Sequence, residues 1–112
     1  MNTTLTQLVK DLTSSASTLK VAKTDLAKAT LAQVKAERVY NIARNKAIVE
    51  GLATGSNESQ RNASLAMILA KESKAMDTAN DKLAIAKLAM ELAYIDHQTT
   101  RYAVKALAIN ED

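Results

Sequence analysis

Cysteine, proline, phenylalanine and tryptophan are all missing from this chain. Without cysteine there are no disulfide staples, thiolate nucleophiles or zinc knuckles, a composition compatible with a reducing compartment. Without proline, and with Gly51 and Gly55 as the only glycines, strong turn chemistry is confined to one place and everything on either side is free to be helix. Tyr40, Tyr94 and Tyr102 are the only aromatics, which disfavours a β architecture and leaves little for base stacking. Long hydrophobic runs are absent too. The longest uncharged stretch of this kind, Ala63 to Ala70, falls far short of the roughly 20 residues that span a bilayer. Polar residues interrupt the first thirty positions in a way no signal peptide does. The expectation is a soluble, cytoplasmic chain with no membrane partner.

What is present favours packed helices. Alanine, leucine and lysine abound, and 112 residues with 47% apolar content suit one domain, 1–112. Leu5, Leu12, Leu19 and Leu26 recur every seventh residue and continue through Gln33, Tyr40 and Ala47. A companion row runs Leu8, Ser15, Ala22, Ala29, Ala36 and Ala43. The second half repeats the pattern with Leu69, Met76, Leu83, Met90, His97 and Val104, accompanied by Leu65, Glu72, Ala79, Ala86, Ala93, Thr100 and Leu107. These are the seams of two helices. The spacing predicts an all-α fold, an antiparallel two-helix hairpin with helices near 3–50 and 57–109. At the turn, a glycine takes the left-handed position after helix 1 and Asn57 with Gln60 resembles a capping box. The hydroxyl-rich run Thr13 to Thr18 is the weakest helical stretch and marks a candidate break.

Two registers alternate large and small residues across the seam. The preferred one pairs residues whose numbers add to 105, setting Leu12 against Ala93, Leu19 against Ala86 and Gln33 against Glu72, the last a polar layer able to fix register. The alternative lies one heptad away and centres near Ser56.

Further apolar rows fall outside the seams: Leu31, Val34, Ile42 and Val49 on helix 1, and Ile85, Leu88, Leu92, Ile95, Tyr102 and Ile109 on helix 2. An isolated hairpin would leave both rows in water, which soluble monomers avoid. Because they lie at opposite ends of the hairpin, two copies packed head to tail would cover each row with the other, giving a homodimer, or a higher homo-oligomer, as a helical bundle. The competing reading is a bent or three-helix monomer with a wider internal face.

No catalytic, metal or cofactor site is expected. His97, the only histidine, sits on the seam row, where a hydrogen-bonded core or rim histidine is the ordinary reading despite Asp96 and Glu91 nearby. No HExxH pattern, glycine-rich phosphate loop or EF-hand occurs. The Asn-x-Ser/Thr matches beginning at Asn2, Asn57 and Asn62 are read as chance and as capping chemistry. Residues 1–50 hold eight Lys/Arg against four acids, and 51–112 hold seven against eight. Lys10, Lys28, Lys35 and Lys46 share a narrow sector of helix 1 that could track phosphates, although interleaved acids and the shortage of aromatics favour a solvated lysine face.

Glu37-Arg38-Val39-Tyr40, then Ala43-Arg44, Ala47 and Glu50-Gly51, then Glu58, Arg61 and Ala63 opening the second helix, resemble small helical-hairpin accessory proteins of tailed bacteriophages. That resemblance implies an accessory role in a bacterial host, through a host or phage protein or a nucleic-acid complex, and transfers no catalytic residue. The leading expectation is a non-enzymatic, self-associating protein that binds another macromolecule. Leu88, Leu92, Ile95, Tyr102 and Ile109 are its foremost contact row. The alternative is a nucleic-acid-binding accessory protein using the lysine face.

Overall fold

A computed structural model describes residues 2–111, and every regular element among them is helical: α1 (Asn2–Val49), α2 (Glu58–Ile68) and α3 (Ala70–Glu111). The long helices α1 and α3 pack together, as the two seams predict.

The first helix is uninterrupted, so the candidate break at Thr13–Thr18 does not occur. Two hydroxyls of that stretch bond back to the preceding turn without displacing the amide ladder. Thr13 Oγ1 donates to the Val9 carbonyl at 3.1 Å and Ser15 Oγ to that of Leu12 at 3.0 Å. Such back-bonding satisfies a short hydroxyl inside a helix without breaking it.

Helix α1 ends in a Schellman motif: the Gly51 N–H donates to the Ile48 carbonyl, the Leu52 N–H to that of Ala47, and Gly51 takes φ +68°. A left-handed residue closing two orphan carbonyls is the terminus glycine suits best. Gly55 is needed for a second reason. At φ +138° any Cβ placed there would run into Gln60.

Asn57 caps α2, its Oδ1 accepting the Gln60 N–H at 2.8 Å. Gln60 answers one residue further back than in a true capping box, its Oε1 accepting the N–H of Ser56 at 2.8 Å and its hydroxyl at 2.9 Å. Glu58 in the first turn complements the helix dipole.

The single second helix predicted over 57–109 is in fact two, α2 and α3, separated at Leu69, whose backbone turns to φ −97°, ψ 15°. No proline or glycine lies there. The interruption coincides with Leu65 and Leu69, 7% and 3% exposed, both seated in one core cluster.

The chain divides into two compact units, Met1–Lys28 with Ile85–Asp112, and Ala29–Ala84. In the first, Leu19 and Ala22 of α1 pack with Ala93 and Met90 of α3, and Ser15 Oγ lies 2.9 Å from His97 Nδ1. In the second, Tyr40, Ala43 and Ala47 gather around Leu65, Leu69 and Ala53.

These contacts overturn the preferred register. Ser15 meets His97 where that register would give it Met90, and Leu19 clusters with Ala93 where it would meet Ala86. The alternative pairing, one heptad away, fits both units. Its physical advantage is polar matching: it gives the buried Ser15 hydroxyl and the imidazole each other. The expected Gln33–Glu72 layer is absent, and Gln33 Nε2 instead donates to Glu37 Oε2 on its own helix at 3.2 Å.

Face assignment, by contrast, follows the sequence closely. Every seam residue of α1 from Leu5 to Ala47 is buried or half-buried, and no other residue between 4 and 49 is.

Candidate functional site

Polar chemistry within the first unit converges on Ser15 and His97. Ser15 is 6% exposed, and its hydroxyl lies within bonding distance of both the Leu12 carbonyl and His97 Nδ1. One hydroxyl carries one proton. If that proton goes to Leu12, the ring must donate from Nδ1; if it goes to the ring, Nδ1 must be bare. Both arrangements close a seam layer. Neither presents a nucleophile to solvent, because a substrate reaching Ser15 Oγ would have to part the helices. Asp96 and Glu91 are exposed, and among the described residues no group of three or more His, Asp or Glu side chains could hold a metal ion.

Outside the seam, many large apolar side chains stand in water. In the first unit, Ile85, Leu88, Leu92, Ile95, Tyr102 and Ile109 of α3 are each 57–72% exposed. In the second, Leu31, Val34, Ile42 and Val49 of α1 are 46–85% exposed. All ten residues singled out by sequence are therefore placed in solvent, the first group as one stripe along α3. The chain exposes 8205 Å², where a folded monomer of its mass ordinarily leaves about 6,000 Å².

Structure adds members that the sequence reading passed over. Thr99 and Ala106 are exposed at the two places where the α3 stripe skips a large residue. They complete a three-then-four spacing from Ile85 to Ile109, which reading Thr and Ala as permitted seam residues would have found. Met67, 82% exposed on α2, and Val21, 57% exposed on α1, are further apolar groups in water. Beside the Leu19–Ala93 cluster lies an open groove of about 370 Å³, floored by Ala22, Ala89 and Ala93 with Asp25 at its rim. Its small side chains leave room for a neighbour's larger ones.

The four lysines are all exposed, Lys10 and Lys28 in the first unit and Lys35 and Lys46 in the second. Lys46 lines a groove together with Glu50 and Glu72, carboxylates that oppose a phosphate there. No helix among the described residues is long and apolar enough to cross a membrane.

No family model matches this chain, and no curated protein or solved structure does either.

Proposed function

We propose that this is a non-enzymatic, self-associating helical protein whose outward apolar rows form its homo-oligomeric contact and its binding surface for another macromolecule. The observation that carries this reading is the exposure of the α3 row, Ile85 through Ile109, at 57–72% per residue on a helix whose opposite face is already satisfied. Large apolar side chains at helical spacing suit recognition of another helix. Leaving them in water forgoes roughly 25 cal/mol per Å² of burial. The biological setting, an accessory protein of a tailed bacteriophage acting on a host or phage protein, rests on the resemblance of the segment from Glu37 to Ala63 and on nothing else.

Light scattering at micromolar concentration tests the reading. Wild type is expected at roughly twice or a higher multiple of the 12.1 kDa chain mass, and Ile95→Glu, at an already exposed position, is expected to fall to the monomer with its helicity intact. A wild-type monomer contradicts self-association.

A further inference from the structure

We propose that α3 carries a second, self-complementary seam, along which two copies of this chain pair antiparallel about a two-fold axis level with His97. This rests on the self-association reading above and specifies its partner, face and direction.

The spacing is the first support. From Ile85 to Ile109 the outward stripe advances by three, then four, without interruption, which is the repeat of a helix seam. Folded onto itself about position 97, the stripe pairs Ile95 with Thr99, Leu92 with Tyr102, Leu88 with Ala106 and Ile85 with Ile109 of the second copy. Each three-step position meets a four-step position, as antiparallel helices require, and Leu88 and Ile95 each face a smaller residue.

Charge is the second support. Glu91 and Lys105 flank the stripe on one side and both are exposed. Antiparallel pairing brings Glu91 of each copy beside Lys105 of the other, making two opposite-charge contacts by symmetry. Parallel in-register pairing would instead set Glu91 of each copy beside Asp96 of the other, two like-charge contacts, and leave Lys105 without an acidic partner. One contact is adverse: Asp96, on the other flank, lies beside its symmetry mate.

Area is the third. A surplus of about 2,000 Å² over an ordinary monomer of this mass exceeds the roughly 800 Å² that each partner contributes to a standard interface. The row on α1 serves less well as the opposing surface. Between Leu31 and Val49 its outward stripe holds Lys35, Arg38 and Asn45, charged and polar groups that an apolar partner would desolvate without compensation.

The chain contains no cysteine, so engineered thiols report without background. Ile95→Cys and Thr99→Cys chains, made separately and mixed under mild oxidation, are expected to form a disulfide-linked pair roughly tenfold faster than either alone, because only the mixture brings thiols to one layer. Both positions are exposed, and circular dichroism verifies that each variant stays helical. Equal or faster linkage within a single variant would overturn the antiparallel register. A dimer mass with no preferential linkage in the mixture would also overturn it, while leaving self-association standing. A monomer mass for wild type would remove both.

Discussion

At the scale of single residues, the Ser15–His97 pair is the group whose removal has the clearest consequence. Ser15→Ala deletes the hydroxyl beside Nδ1 and is expected to cost about 1 kcal/mol in urea denaturation, toward the low end for an orphaned polar group because His97 is only half-buried. Adding His97→Leu should return most of that loss, since an apolar pair needs no hydrogen bond. Losses that simply add would show that the two side chains do not act as a unit. The sequence placed His97 on the seam and read it as hydrogen-bonded, but could not name Ser15 as its partner. Both residues occupy seam rows, yet the register preferred for its size alternation and its Gln33–Glu72 layer sets Ser15 against Met90. Size patterns repeat every heptad and so do not distinguish neighbouring registers, and of the two polar matches on offer the buried Ser15–His97 pair prevails while Gln33 turns to Glu37 on its own helix.

At the scale of elements, the α2–α3 junction divides positions that matter from positions that do not. Leu69, 3% exposed, anchors the cluster with Ala47 and Leu65, and Leu69→Ala is expected to destabilise the fold by about 3 kcal/mol. Met67→Ala, two residues away and 82% exposed, should stay within about 0.5 kcal/mol of wild type. Comparable losses at both positions in chemical denaturation would contradict the assignment of faces. Much of the element structure was legible because its signals are local. Gly51 stops α1 through its left-handed backbone, Asn57 starts α2 through its side chain, and seven-residue spacing sorts the inside of α1 from its outside. The interruption at Leu69 was not legible, because neither Leu69 nor its neighbours disfavour helix. The apparent weakness at Thr13–Thr18 misled for the opposite reason: composition suggested competition with the backbone, while the helix runs on and the Thr13 and Ser15 hydroxyls bond to carbonyls one turn back.

At the scale of the whole molecule, the account turns on α3 having two faces with different fates. One is buried against α1, where Ala93 is 9% exposed, and the other is left in water, where Leu92 beside it is 58% exposed. The candidate site was legible to the extent that apolar residues off the seam betray an unmet need for cover. Its extent was less so, because Thr99 and Ala106 belong to the stripe by spacing and not by hydropathy. Thiol-labelling rates at positions 93 and 99, introduced separately as Ala93→Cys and Thr99→Cys and followed from nanomolar to tens of micromolar chain, test the distinction most directly. The thiol at 93 is expected to react slowly at every concentration. The thiol at 99 should react rapidly when dilute and become protected as the chain self-associates. A thiol at 99 that stays equally reactive across the whole range would contradict the account, because the second face of α3 would then be no surface on which copies of this chain meet.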